Sequence, residues 1–479
     1  MQAIHNIRNL FNFSIRCLTL LMGVTLSIQA PAQSSDEPAA TELTEWVTGY
    51  WEGAYVRANS VLRVNMRFRH NEDDELVVYR EFPSWLFYGM LGPYPVELDE
   101  RGRIVLPRAL YGEADLQPDR RYDEMIGQSG SGTPGVFLHL KRAVPPPPPA
   151  TERRDVSFES DGFALDAELY LPPGDGPHPG IVLNNGGPGC SQKYQRARIA
   201  EKLAEYGLAA LAFDQRGAGA SEGDCADVSF DTLSSDALSA YLWLGEQQEV
   251  DAGRIGFWGS SAGSWWSQGA IEKILDDDTI PKPAFMIGWV GMGTSTHDVQ
   301  RAVKVWMAER EGLSDSERAD VLRVIDVAGS SELSNEAIHQ QLQSIRERAE
   351  RDGWLGEMYS IKVWPDSPED VPSLWHQRFD FDPARVLRRM DDIPYLAILG
   401  EDDPLVPYED NAPRMRRLLA EAGNDQARII GVPGVGHNRE VSDRFREIDG
   451  SVMYYKFDRV VPDFFGEMIR FLEGLELID

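Results

Sequence analysis

Five consecutive prolines, Pro145 to Pro149, constrain this chain more than any other feature. None can donate a backbone hydrogen bond and each locks φ at about −65°, so the run can sit inside neither a helix nor a central strand. It reads as an extended, semi-rigid linker over residues 144–151. The chain must then fold as separate units on either side, which agrees with a length of 479 residues. Apolar residues make up 42 % and aromatics 10 %, enough for a large core in each unit.

Ahead of the linker, residues 42–143 alternate apolar and polar in short runs, as in Leu62 to Phe68 and Glu75 to Tyr79. Turn residues punctuate them at Asn71 to Asp74, Gly92-Pro93, Asp99 to Gly102 and Gly130 to Gly135. Period two with regular turn signals predicts a small antiparallel β domain. No catalytic cluster is visible in it. Trp46, Trp51, Trp85, Phe87 and Tyr88 suit either a binding face or, as aromatics more often do, its core.

Residues 1–32 read as a signal peptide. His5, Arg8 and Arg16 precede the apolar run Cys17 to Ile28, and Ala30-Pro31-Ala32 supplies small residues for cleavage after Ala32. The run is shorter than the ~20 residues a bilayer span needs, so no membrane span is expected in the mature chain. The expected location is periplasmic or secreted. Cys190 and Cys225 are then the remaining cysteines, two buried thiols or one bridge in an oxidising compartment. Asp and Glu number 77 against 47 Lys and Arg, a formal charge of −30. Such a surface repels phosphate backbones and excludes nucleic acid as a partner.

Beyond the linker the texture changes to strands alternating with helices. Val156 to Phe158 and Leu165 to Leu171 form an antiparallel start, and Gly180 to Leu183 is a compact strand. Helix Gln192 to Tyr206, closed by Gly207, strand Leu208 to Phe213, helix Thr232 to Gln247, strand Arg254 to Trp258, helix Ala262 to Ile274 and strand Phe285 to Val290 follow. This serial pattern predicts an α/β fold with a mostly parallel sheet covered on both faces. It breaks at residues 291–390, where Val299 to Glu311, Ser314 to Val327 and Glu336 to Asp352 read as amphipathic helices. That insert is either a lid over the carboxyl edge of the sheet or a separate interaction module. Strands Tyr395 to Leu399 and Arg428 to Val432 and a helix from Pro462 to Leu475 close the domain, which spans 152–479.

Gly259-Ser260-Ser261-Ala262-Gly263 matches G-x-S-x-G directly after the buried-strand sequence Ile255 to Trp258 and before a helix-compatible run. A serine on such a strand-to-helix turn is pushed out above the sheet, and the flanking glycines tolerate the crowded backbone. A serine hydroxyl needs a base, and the base needs a carboxylate to hold its tautomer. Gly400 to Pro407 and Gly434 to Asn438 each follow a strand, supplying Asp403 and His437 in the order Ser, Asp, His. Asp402 competes with Asp403 for the orienting role. The oxyanion of acyl transfer needs two fixed N–H donors. The Ala262 amide at a helix start supplies one, and the loop Asn184 to Gly189 the other, assigned to Gly187 with Gly186 as the competitor. His178, His339 and His376 lack metal-ligand spacing, so no metal is expected.

With Phe213-Asp214-Gln215-Arg216-Gly217-Ala218-Gly219-Ala220-Ser221, similar to a D-x-R-G-x-G-x-S loop, these motifs make residues 152–475 resemble an α/β-hydrolase of the dienelactone-hydrolase and S9/S15-peptidase-like branch. The resemblance implies a helical lid insert, a structural rather than catalytic part for Asp214 and Arg216, and adjacent strands ahead of Cys190 and Cys225, hence a disulfide pinning the oxyanion loop. Gly186-Gly187-Pro188-Gly189 resembles the H-G-G-P-G of proline iminopeptidases, but Asn185 stands where their histidine would be. The start Gly49-Tyr50-Trp51-Glu52-Gly53 resembles the accessory β domain ahead of some secreted members. The expected function is a serine hydrolase of carboxylic esters acting through an acyl-enzyme on Ser261, without cofactor, on a small-molecule ester or short peptide. An exopeptidase or amidase using the same three residues is the nearest alternative. A catalytically silent binding protein is the alternative of another class, and the intact Ser261, Asp403 and His437 oppose it. Nothing in the sequence sets an oligomeric state.

Overall fold

The computed structural model describes residues 40–478 except 58–59, 84–88, 131–134, 188–189, 226–227, 331, 359–363, 372–380, 438–443, 447–451 and 455–461. The signal-peptide residues 1–32, and Trp85, Phe87, Tyr88 and His376, lie outside this set.

Period-two patterning before the linker produces one nine-stranded sheet. Helix α1 (Ala40–Val47) leads into β1 (Gly49–Arg57), β2 (Ser60–His70), β3 (Leu76–Glu81), β4 (Leu91–Pro95), β5 (Glu97–Leu98), β6 (Ile104–Leu106), β7 (Ala114–Asp119), β8 (Glu124–Ser129) and β9 (Phe137–Arg142), in the order β4-β3-β2-β1-β9-β8-β7-β6-β5. Every pairing in it is antiparallel. Alternate residues of each strand turn inward, so Trp51, Tyr55, Leu62, Val64, Met66, Phe68, Leu138 and Leu140 share one core with Leu43 and Val47 of α1. Trp51 is fully buried, Trp46 packs edge-on to it at 5.1 Å, and the Arg142 guanidinium lies 4.5 Å from the Trp51 ring centre. Trp51 thus belongs to the core. Helix α1 is an addition to the sequence reading, which carried no helix there.

After the linker, β10 (Glu152–Ser160) and β11 (Phe163–Leu171) form a hairpin, and then strands alternate with helices: β12 (His178–Asn184), α2 (Ala197–Glu205), β13 (Ala209–Phe213), α3 (Phe230–Gly245), β14 (Val250–Ser260), α4 (Gly263–Leu275) and β15 (Met286–Trp289). The sheet order is β10-β11-β13-β12-β14-β15-β16-β17, completed by β16 (Tyr395–Gly400) and β17 (Arg428–Val432), with parallel pairing from β13 to β17. Strand β13 is buried at all five positions, as a strand with helices on both faces must be. The predicted helix from Gln192 begins instead as a 3-10 turn, Lys193–Gln195, and becomes α-helical only at Ala197. Ser229 caps α3 by accepting from the Thr232 amide, which moves that helix start to Phe230.

Between β15 and β16 run α5 (Thr296–Arg310), α6 (Asp315–Ala328) and α7 (Asn335–Asp352), followed by the short α8 (Leu355–Met358) and α9 (Ala384–Leu387). Ser295, Ser314 and Ser334 cap the three long helices, and Val321, Val324, Ile325, Ile338, Leu342 and Ile345 make a small core of their own. Helix α10 (Tyr408–Ala422) escaped the sequence reading. Pro413 sits inside it as the sixth residue, where it leaves the Glu409 carbonyl without its i+4 amide, and the buried face of Asn411, Met415, Leu418 and Leu419 carries the helix through. A two-stranded ribbon, Arg444–Arg446 with Val452–Tyr454, is a second omission, and α11 (Pro462–Gly474) closes the chain.

The two units touch where Arg198 of α2 pairs with Glu81 of β3 at 2.7 Å, both largely buried. Their cores are otherwise separate. A Cβ added at Gly127 would stand 1.6 Å from the Asp115 carbonyl oxygen, so side-chain growth there must part β7 from β8. Gly127→Ala should therefore destabilise the N-terminal unit by about 1–3 kcal/mol. Calorimetry should show one unfolding transition moving to lower temperature while the C-terminal transition stays in place.

Candidate active site

The sheet order reverses at β12: the chain steps from β12 outward to β13, then returns past β12 to β14. In open α/β sheets such a switch point, at the carboxyl ends of the strands, is the usual place for a binding site. Asn184 pairs with Gly259 in register, so the loop from Asn185 and the turn bearing Ser261 start side by side.

Ser261 has φ of 53°, the left-handed region that costs a residue with a Cβ roughly 1–2 kcal/mol. The surrounding contacts hold it there. Its amide donates to the Trp289 carbonyl at 3.0 Å, its carbonyl accepts from the Ser264 amide at 2.9 Å, and Ser264 Oγ donates to the Gly259 carbonyl at 3.0 Å. Helix α4 can start so close to the sheet only because Gly259 and Gly263 lack side chains: a Cβ on Gly263 would lie 2.2 Å from the Asn184 carbonyl oxygen. Ala262 stands at the N-cap of α4, where backbone amides point outward from the helix end.

The β12 loop presses against this turn. A Cβ at Gly186 would meet the Ser260 carbonyl oxygen at 2.2 Å and Ser261 Cβ at 2.9 Å. Gly187 follows with φ of 102°. Of the two glycines proposed as donors, Gly186 makes the close approach and Gly187 takes the backbone conformation that needs glycine. Cys190 and Cys225 are joined by a disulfide, which ties this loop to the one after β13. Asp214 Oδ1 accepts from the Lys193 amide at 2.5 Å and Oδ2 from the Ala220 amide at 3.1 Å. Arg216 pairs with Asp236 at 2.5 Å and Asp161 at 3.0 Å. Burial pushes the Asp236 carboxyl up despite that cation, since the side chain is almost wholly removed from water.

Asp403 and His437 come from the loops after β16 and β17. His437 Nδ1 lies 2.8 Å from Asp403 Oδ2, and Asp403 Oδ1 accepts from the Leu405 amide at 2.8 Å and the Val406 amide at 3.0 Å. A carboxylate only accepts, so Nδ1 carries the proton and Nε2 keeps its lone pair. The Asp403 side chain is fully buried and that of His437 is 18 % exposed. Asp402 is exposed, and its amide donates to the Val435 carbonyl at 3.0 Å. Gly400 permits the two loops to converge: a Cβ there would stand 2.3 Å from the Val435 oxygen.

A cavity of about 350 Å³ opens beside the Asp403 loop, between the starts of α5 and α10, lined in part by Thr294, Asp298, Val299, Pro407, Asn411 and Arg414. Lys304 of α5 is pushed down to about 8 by burial. No group of three His, Cys, Asp or Glu suited to hold a metal ion occurs among the described residues. Among them, no helix is long and apolar enough to cross a membrane. Sequence reasoning passed over Ser191 and Gln215, which brace the β12 loop. The signal lay in their nearness to Cys190 and Asp214, but only the fold brings them together.

A family model described as X-Pro dipeptidyl-peptidase (S15 family) matches residues 161–360. Over those residues the C-terminal unit is similar to that family. Among curated relatives, an uncharacterized Mycobacterium tuberculosis protein is 35 % identical over 112 residues, 23 % of this chain and 38 % of the relative. Lysophosphatidylserine lipase ABHD12 of Danio rerio is 30 % identical over 118 residues, 25 % of this chain and 30 % of that protein. The chain thus spans well under half the length of these relatives. Acyltransferase drtE of Aspergillus calidoustus is 23 % identical over 301 residues, 62 % of this chain and 91 % of that one. Of solved structures, the apo form of Thermogutta terrifontis esterase 2 aligns at 18 % identity and a TM-score of 0.41, covering 70 % of this chain and 99 % of the esterase.

The disulfide of the C-terminal unit joins cysteines 35 positions apart in sequence. Replacing both cysteines by alanine should cost about 4 kcal/mol through the freer unfolded chain. Non-reducing peptide mapping should recover a single peptide pair joined through Cys190 and Cys225, and denaturant titration of the variant should show the lower midpoint.

Proposed function

We propose that this protein is a secreted or periplasmic serine hydrolase that cleaves carboxylic esters. The observation that carries the reading is the buried Asp403 carboxylate, with one oxygen on two backbone amides and the other on His437 Nδ1. That arrangement leaves His437 Nε2 as a base of fixed orientation, in a domain that presents Ser261 on a strained turn.

In this reading His437 Nε2 takes the proton of Ser261 as the oxygen attacks the ester carbonyl. The amides of Ala262 and Gly187 hold the oxyanion that forms. Collapse returns the proton from Nε2 to the departing alkoxide, releasing an alcohol and leaving an acyl group on Ser261. Water then attacks the acyl group by the same proton path, the acid leaves, and the serine is restored. Asp403 stays ionised throughout, stabilising the imidazolium and its tautomer. The insert helices α5 to α7 serve as the lid, and the cavity between α5 and α10 receives part of the substrate. The disulfide supports an oxidising location, and residues 1–32 supply the leader that would reach it.

A second reading, an exopeptidase or amidase with the same three residues, draws on the match to the S15 peptidase model. A panel of p-nitrophenyl acyl esters beside aminoacyl p-nitroanilides separates the two. Ester turnover abolished by Ser261→Ala is the expected outcome, whereas Ser261-dependent anilide turnover would establish the peptidase reading. A labelled fluorophosphonate that leaves Ser261 unmodified would support a silent binding protein instead.

Among the acidic pair, Asp403→Asn should lower kcat by about 10⁴-fold, because the amide holds the wrong tautomer. Asp402→Asn should stay within about threefold of the parent, as expected for a carboxylate at an exposed position. Steady-state kinetics on the best ester of the panel reads both.

A further inference from the structure

We propose that Ser191, held in place by Gln215, is a positioning residue that orients the Gly187 amide toward the developing oxyanion. The inference rests on the serine-hydrolase reading and adds residues to it that neither the motifs nor the triad geometry assign.

Asn185, Gly186 and Gly187 leave the end of β12 beside the Ser261 turn. Gln215 joins Ser191 to them. Its Oε1 accepts from the Ser191 amide at 3.0 Å, its Nε2 donates to the Asn185 carbonyl at 3.4 Å, and its own backbone amide donates to the Ser191 carbonyl at 2.9 Å. One buried carboxamide, 3 % exposed, therefore engages both limbs of the loop. Asn185 adds a third tie, its Nδ2 donating to the Gln192 carbonyl at 3.0 Å.

Within that frame Ser191 Oγ donates to the Gly186 carbonyl at 2.8 Å. The peptide between Gly186 and Gly187 is planar and trans, so its C=O and N–H point in opposite directions. Drawing the Gly186 oxygen toward the returning limb turns the Gly187 N–H away from that limb. Gly187 cannot set this orientation by itself. With φ of 102° and no side chain, its backbone has the widest freedom to rotate, and an unanchored donor would pay reorganisation in each turnover. Ser191 is 6 % exposed, so water competes poorly for its hydrogen bond.

The test compares the full-length parent, Ser261→Ala, Ser191→Ala and Ser191→Thr on a p-nitrophenyl ester, with an alkylboronic acid as a tetrahedral analogue. Ser191→Ala should lower kcat about 10-fold, a fraction of the 10²–10³-fold lost when an oxyanion donor itself is removed. KM should change by less than about twofold, since the ground-state carbonyl draws little on the donor. Boronate inhibition should weaken by the same factor as kcat, and Ser191→Thr, which keeps a hydroxyl, should recover most of both. If Ser191→Ala does not fold, as judged by its thermal transition, Gln215→Leu must show the same split between kcat and KM. An unchanged kcat in a folded Ser191→Ala, or a fall in kcat with boronate affinity intact, would overturn the inference while leaving the hydrolase reading in place. Parent turnover that survives Ser261→Ala would overturn that reading and this inference with it.

Discussion

The close approach of the β12 loop to the turn between β14 and α4 is the contact on which the candidate site depends. It is made by what is missing. Gly186, Gly259 and Gly263 each face a backbone atom that a methyl group would strike, at 2.2, 2.5 and 2.2 Å. Their absence of side chains lets the β12 loop and the Ser261 turn pack at van der Waals distance. The conformational freedom that makes glycine useful there must be removed by something else. Here the constraint comes from hydrogen bonds through Ser191, Gln215 and Asn185 and from the bridge between Cys190 and Cys225.

The same division of labour runs through the rest of the domain. Strands β12 to β16 are nearly continuous in apolar residues, so they settle in the centre of the sheet and contribute no chemistry along their length. Chemistry gathers where they end, since only at the carboxyl edge do side chains escape the core. Ser261, Asp403 and His437 leave three different strands, and the parallel pairing of those strands brings the three loops to one edge. The N-terminal unit has its own core, with a charged contact from Glu81 to Arg198 on the helix that follows the β12 loop.

Much of this was legible beforehand, for identifiable reasons. Alternation of strand and helix, the order of the three motifs and the break at the prolines are local patterns, and local patterns survive folding when burial agrees with them. Where the reading failed, burial or capping had overruled the pattern. Helix α10 carries Pro413 and was passed over, although its buried face, Asn411, Met415, Leu418 and Leu419, repeats at helical spacing. Helix α2 begins later than its apolar pattern, because a 3-10 turn, Lys193–Gln195, comes first, with the Lys193 amide donating to Asp214 Oδ1.

By itself the sequence determined the two-unit organisation, the serine on its glycine-flanked turn, and the presence of a downstream acid and histidine after strands. These follow from residue type and near-neighbour spacing, which act through backbone sterics within a few residues. Only the tertiary structure decided which of two adjacent aspartates faces the histidine: Asp403 turns inward onto His437 and two amides, while Asp402 turns to solvent. Only it brought Gln215 across to Ser191 and Asn185, residues 24 and 30 positions away in the chain. Such pairings are set by strand order and by the direction of single side chains, and neither leaves a mark on composition or periodicity.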